Sequence, residues 1–457
     1  MKKHSLTKIL GIICALLVIM SFIIPAGYYN NGEFVKDTVA PVGIFSIFSY
    51  PLYTIVNFSI LGIVFLAIGA YYGILNKSKA YPRFVETVAK KMKGKEKVAI
   101  IVTTIFFALL SSMAGISVEI FIIVPLFAAI LMSIGYNKLS SMLATVGAIL
   151  IGNMASVYGY TVSGYASHLT GNVHSSLLIK IILLVISIIA LLVVILKSNK
   201  KSKDKVEEIA LYQKTTKKVN TVPFIVLFIL TFVLITVGMI EWNTTYGIAF
   251  FDNIHNAIMS FKVGEVAIFS YILGDIPALG NWGHYQAILA LLISAFIIAK
   301  VYKVKCKEIL EGALEGMKEI LPVAFIVVIV NVVAYYAVMS NENGYNICST
   351  MINKAMPNNF AVVPFGIVTT IGSVLYNDFR YLLSFTYGAI INYKTNYTLI
   401  AMMTQTLHGL VQLIAPTSMM LVAGLTYFKI PYVDYLKKLW KLFLCLLVAI
   451  IILLIFV

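Results

Sequence analysis

Charge is scarce in this sequence. Only 12% of its 457 residues are Asp, Glu, Lys or Arg, where a soluble globular domain averages about 25%. A soluble domain is therefore excluded. Arginine is almost missing, Arg83 and Arg380 being the only two, so lysine carries nearly all of the +16 net charge. The four cysteines, Cys14, Cys306, Cys348 and Cys445, contain no CxxC spacing, and that argues against both a thiolate metal site and a disulfide framework. Short alternating segments of the kind that build a membrane β-barrel are absent. So are GxSxG, HExxH and Walker sequences, which leaves no enzyme motif to follow.

What remains is apolar. Hydrophobic residues make up 60% of the chain and the mean hydropathy is +0.94. Its apolar runs reach the roughly 20 residues that a helix needs to cross a bilayer. The fold class expected is an all-α polytopic membrane protein. Nucleic acid is not an expected partner, because the lysines fall in short loops between spans, the positive-inside pattern. Loops Lys77–Lys97, Lys197–Lys218 and Lys300–Lys318 should share one side, the cytoplasm, together with the N-terminus, whose apolar run reads as a retained first helix. The expected setting is the plasma membrane.

Spans read near Ile9–Ala26, Tyr53–Leu75, Leu177–Leu196, Val222–Ile240, Tyr285–Ala299, Leu321–Val338 and Trp440–Val457. Two blocks do not read as clean spans, since Gly, Ser, Thr and Pro interrupt them. The expected division is 1–97 as N-terminal scaffold helices and 98–175 as a first transport repeat. A linking helix, cytoplasmic loop and second scaffold helices occupy 176–359. A second, inverted repeat covers 360–436, and a C-terminal helix covers 437–457. Counting spans from the lysine loops gives the two blocks opposite orientation. IVTT at Ile101–Thr104 recurs at Ile367–Thr370, and Thr161 and Thr417 lie equally far beyond Lys138 and Lys394. Paired breaks in inverted repeats are where secondary transporters bind their cargo.

The polar residues in these blocks are the candidate site. Glu119 and Asp378 are its carboxylates; each either meets a cation, a proton or a cationic group, or lies at a watery edge, with Asp378 pairing Arg380. Arg380 suits a substrate carboxylate as well as that internal pair. His408 and Gln412, four apart, share a helix face, either toward a cavity or toward a neighbouring helix. Thr161, Ser163, Thr417 and Ser418 supply hydroxyls where the backbone is irregular; Pro416 breaks the helix before Thr417. Such groups suit Na⁺ or satisfy helix ends. Asn331 reads as helix–helix glue, and Leu310–Glu319 as an amphipathic helix at the cytoplasmic interface.

APTSMMLVAGLTYFKIPYVDYLK and GISVEIFIIVPLFAAILMSIGYNKL resemble the motifs of YfcC-type and DcuC-type carriers of the ion transporter superfamily, with Gly115, Glu119, Pro125, Gly135 and Tyr136 in register. The resemblance implies scaffold helices, two inverted repeats with re-entrant hairpins, elevator-like transport of small carboxylates or amino acids, and a homodimer. It implies no cofactor beyond a coupling Na⁺ or H⁺. The family's hairpin tip corresponds to Leu375, Tyr376, Asn377 and Asp378, so Asn377 joins the candidates. Placing Asp378 at a tip that is neutral in the family favours a cationic or zwitterionic cargo. A basic amino acid such as arginine or ornithine stands slightly ahead of the rival reading, a Na⁺-coupled C4-dicarboxylate symporter. A channel or structural membrane protein would not require paired broken helices.

Overall fold

A computed structural model describes the chain apart from residues 1–4, 26, 31, 37–40, 117, 160–168, 173–174, 199–203, 205, 210, 339–346, 358 and 391–394. Among the described residues, six helices are long and apolar enough to cross a membrane. The only sheets there are two small hairpins, so the protein is an all-α polytopic membrane protein. Helix α1 (Ser5–Ser21) leads to a short β1–β2 hairpin (Gly27–Asn30, Glu33–Lys36).

The frame is built on one long helix. α2 (Ile44–Ser78) runs for 35 residues, about 52 Å at the α-helical rise, and starts nine residues before the expected span. It ends beside α3 (Ala80–Lys91) at the lysine-rich end of the molecule. Against it, antiparallel, lies α13 (Cys306–Ile329). Between them in sequence come α8 (Val222–Met239), the small elements α9 (Trp242–Tyr246), α10 (Phe250–Met259), β3–β4 (Lys262–Val263, Val266–Ala267) and α11 (Ile268–Leu273), and then α12 (His284–Val301). α12 also packs along α2, and α8 packs along α12.

Small residues make the α2–α13 contact possible. A Cβ on Gly73 would lie 1.9 Å from the Gly312 carbonyl oxygen, and one on Gly316 would lie 1.9 Å from that of Gly69. Two GxxxG pairs thus face each other, letting the backbones touch as transmembrane helices do when no hydrophobic effect drives them together. This corrects the reading of Leu310–Glu319. It is the first part of a membrane-long helix whose glycine face is buried, not a separate interfacial helix. Leu310 and Leu314 point outward.

The two interrupted blocks enter from opposite ends. In the first, α4 (Glu96–Ala114) leaves the lysine-rich end, turns, and returns as a 3₁₀ turn (Glu119–Ile123) continued by α5 (Val124–Ser133). α6 (Lys138–Met154) then climbs again, with a π-helical turn at Leu143–Gly147. Asn137 ties its base to the Ser198 carbonyl (3.0 Å) at the end of α7 (Leu177–Ser198). Past α13 the chain breaks at Val330–Asn331 and continues as α14 (Val332–Val338) and α15 (Ile347–Ala355). The second block forms the hairpin α16–α17 (Val362–Leu375, Phe379–Ile390), then α18 (Tyr397–Gln412) and α19 (Met419–Tyr427). Asn396, at the start of α18, bonds the carbonyl of Val457 (3.1 Å). That carbonyl lies just beyond the far end of α20 (Tyr432–Leu454), whose lysines Lys437, Lys438 and Lys441 mark the other end.

The IVTT identity does not mark equivalent positions. Thr104 lies ten residues before the helix end at Ala114, and Thr370 only five before Leu375. The inversion is carried by topology, not by that match.

Gly316→Leu should sharply reduce the yield of monodisperse protein in detergent, since the side chain meets backbone and overpacking costs about 1–3 kcal/mol or more. Leu310→Ala, on the outward face, should leave the yield unchanged in the same chromatographic measurement.

Candidate functional site

Each break exchanges hydrogen bonds with the hairpin beside it. In the first block α6 stops at Met154 and the chain runs irregularly through Ala155–Gly159. Ser112, near the tip of α4, donates its hydroxyl to the Ala155 carbonyl (2.9 Å). Its own carbonyl accepts the amides of Val157 and Tyr158, each at 3.1 Å. In the second block α18 stops at Gln412 and resumes at Met419. Gln412 donates to the Ser373 carbonyl (2.8 Å) and the Thr417 hydroxyl to that of Val374 (2.6 Å). Backbone groups left open at helix ends must find partners in a medium without water, and in each block hairpin and break supply them to one another.

The breaks also meet. Gln405 of α18 donates to the Ser156 carbonyl of the first break (2.8 Å). Gly409 lets the helices close: a Cβ there would lie 2.3 Å from the Cα of Met154. Beside this junction opens a cavity of about 520 Å³, within the range of small-molecule sites. It reaches α2 at Asn57–Leu61, roughly 20 Å along that helix from Ile44 and about 30 Å from Ser78. The cavity therefore lies well inside the length of the bundle.

Most of the expected residues reach it. Glu119, Asn377, Asp378, Arg380, His408, Gln412 and Ser418 all line the cavity. Thr417 does not; its hydroxyl is taken by Val374 and it lies behind the wall. Thr161 and Ser163 fall outside the described residues. Asn377, at the tip of the α16–α17 hairpin, donates to both Thr417 O (3.0 Å) and Asn331 Oδ1 (3.1 Å). Asn331 thus joins elements as expected. It does so from a helix break, where it also caps the Val327 carbonyl (2.9 Å), and it too faces the cavity. His408 packs on Phe379, and its buried Nδ1 has no hydrogen-bond partner among the described residues.

The charges form two pairs and one single group. Arg380 grips Asp378 through Nε (3.2 Å to Oδ1) and Nη2 (2.8 Å to Oδ2), and its amide donates to Oδ1 (2.8 Å). The Arg380 side chain remains 69% exposed. Glu119 is buried and in close contact with Nδ1 of His284, the first residue of α12. Glu241 lines the same wall. Burial pushes its carboxyl above the ordinary range, opposed by a hydrogen bond from Thr244 and by the charge of Arg380.

Sequence reading missed His284, Glu241, Asn57 and Gln405. Trp282, Gly283 and His284 bring the stretch that opens α12 to the cavity. Only the polar side chain of Gln405, inside an apolar helix, carried a signal that could have been followed.

Crossing helices, two oppositely entering broken segments and a charged internal cavity define a multi-pass membrane carrier. The DcuC family, described as C4-dicarboxylate anaerobic carrier, matches residues 4–457, and the chain belongs to it. It is a secondary transporter and not an enzyme. No curated protein matches the sequence. Among solved structures, the chain is similar to Neisseria gonorrhoeae MtrF, described with a class of antimetabolite efflux pumps. The identity is 12% and the TM-score 0.41, over 98% of this chain and 94% of that one. It is similar as well to the Alcanivorax borkumensis YdaH transporter, at 11% identity and TM-score 0.37, over 98% and 97%. Likenesses this distant carry no weight for the cargo.

Gln405→Leu should destabilise the protein by about 1–3 kcal/mol, because carbonyls of the first break lose a buried donor. An unfolding titration in mixed micelles reads that difference.

Proposed function

We propose that this carrier moves a small zwitterionic or cationic organic solute, an amino acid, with a basic one such as arginine or ornithine slightly favoured. The observation that carries this reading is the charge inventory of the cavity. Glu119, Glu241 and Asp378 face it against a single arginine, Arg380, which Asp378 already holds. A dianion entering there meets more negative than positive charge. A cation or zwitterion finds carboxylates, the exposed guanidinium edge of Arg380, and the open acceptor or donor at His408.

In this reading the two hairpins and broken helices move together past the frame of α2, α8, α12 and α13, carrying the solute in an elevator-like step. The glycine seam supports a rigid frame, and the hairpin-to-break hydrogen bonds support a coherent moving part. Exchange of solutes needs no coupling ion; net uptake would use Na⁺ or H⁺. The lysine-rich end is placed in the cytoplasm with the N-terminus, in the plasma membrane, by the positive-inside pattern. The homodimer implied by the family resemblance stands as part of the same proposal.

A second reading has its own support. The family is described by C4-dicarboxylates, and an arginine fork fits a carboxylate well. Under it Arg380 leaves Asp378 to grip cargo, and Na⁺ balances the remaining carboxylates.

Uptake by proteoliposomes from a panel of labelled amino acids and dicarboxylates, with and without Na⁺, separates the two. The zwitterion reading expects accumulation of an amino acid and none of succinate. It also expects Asp378→Asn to lower uptake about tenfold or more, the effect of losing one interaction of about 1.4 kcal/mol, with the protein still folded in the membrane. Uptake of dicarboxylates alone, or an unimpaired Asp378→Asn protein, contradicts it.

A further inference from the structure

The two ion pairs of the cavity differ in what they connect. Asp378 and Arg380 sit two residues apart in one hairpin, so they travel as a unit. Glu119 begins the return arm of the α4–α5 hairpin, whereas His284 begins α12, which packs on α2 in the frame. The second pair therefore bridges two bodies. If the hairpin moves past the frame, this contact must break.

Breaking it is conditional on charge. Glu119 is 4% exposed, and His284 is its only ion-pair partner among the described residues. The other charged or titratable groups lining this cavity are Glu241 beyond α8, Asp378, Arg380 and Tyr381 of the second hairpin, and His408 of α18. Tyr246 of α9 reaches the Met113 carbonyl beside the hairpin tip. Arg380 is the only permanent cation in this set, and Asp378 holds it. A carboxylate pulled away from His284 would be stranded in a medium that penalises unpaired charge.

We propose that Glu119 and His284 form a proton-binding site that latches the first hairpin to α12, and that the hairpin leaves α12 only with a proton on Glu119. This rests on the carrier reading above. In the latched pair, carboxylate faces imidazolium. On release the Nδ1–H bond of His284 breaks and an O–H bond forms on Glu119. Imidazolium becomes imidazole, carboxylate becomes carboxylic acid, and the net charge of the pair stays at zero. Two neutral groups then separate. With no proton on either ring nitrogen beyond the neutral tautomer, separation would strand the carboxylate, so alkaline conditions hold the latch shut. The bound ligand is a proton, taken from whichever face the cavity meets.

The latch can be read without any solute. The full chain, with its four cysteines replaced by alanine, carries nitroxide labels at Met113→Cys on the hairpin and Leu289→Cys on α12, both exposed positions. Pulsed electron spin resonance in liposomes then gives the distance distribution between pH 5.5 and 10. The displaced-to-latched ratio should be level on the acid side, where the latched pair already holds its proton, and fall about tenfold per pH unit on the alkaline side, where release must take one up. Glu119→Gln should abolish the alkaline fall, whereas His284→Gln, which leaves Glu119 to take its proton from water, should extend the tenfold-per-unit slope toward the acid end of the range. Asp378→Asn, Glu241→Gln and His408→Gln should keep the parent profile. A distribution insensitive to pH in the parent protein, or a pH response that survives in Glu119→Gln, overturns the proposal. Because no solute is present, a failed uptake panel leaves this result standing. Uptake by a protein without the pH response removes the latch and leaves the carrier.

Discussion

A backbone amide or carbonyl inside hydrocarbon has no water to turn to, and that constraint shapes this protein more than any other. Two of its helices stop deep in the bundle, at Met154 and Gln412. Each stop frees polar backbone that a lipid-facing surface could not tolerate. The neighbouring hairpin covers it, through Ser112 in one block and, in the other, through Asn377, which donates to the Thr417 carbonyl. Gln405 then fastens one break to the other. The polar cavity is a consequence of this arrangement, because groups gathered to satisfy broken helices also present side chains to the space between them.

The frame answers a different physical need. Apolar side chains gain little by leaving lipid for another helix, so close backbone approach must hold α2 and α13 together. Their facing glycines provide it, at separations where any side chain would collide. Charge divides along the same line. Asp378–Arg380 is confined to one hairpin, and Glu119–His284 crosses from hairpin to frame.

Much of the site was legible because polar residues stand out in apolar sequence. Asp378, Arg380, His408, Gln412 and Ser418 were found in this way, and Glu119 as the lone acid of its block. His284 was not, since a histidine that opens a helix after a polar stretch looks ordinary. Glu241 sits in the same kind of boundary. Asn57 is one of several polar residues in a 35-residue helix, and only the fold turns it toward the cavity. Thr417 takes the second of its two readings: a hydroxyl at a break is as well suited to cap backbone as to meet a ligand, and here it caps the Val374 carbonyl. Periodicity could not reveal that Gly312 and Gly316 meet Gly69 and Gly73, because that fact belongs to a pair of segments and to neither alone. The opposite entry of the two blocks was legible from the lysine loops, whereas the IVTT match does not mark equivalent positions.

The central claim is that one cavity, walled by frame and hairpin together, holds the cargo. Alkylation of single cysteines tests it most directly. Asn57→Cys reports on the frame wall and Asn377→Cys on the hairpin tip, each in protein lacking the four native cysteines and held in membranes. A transported solute at saturating concentration should slow the reaction of both with a small methanethiosulfonate reagent, while a solute that is not transported should slow neither. Protection of only one position, or of neither, would contradict a shared binding cavity.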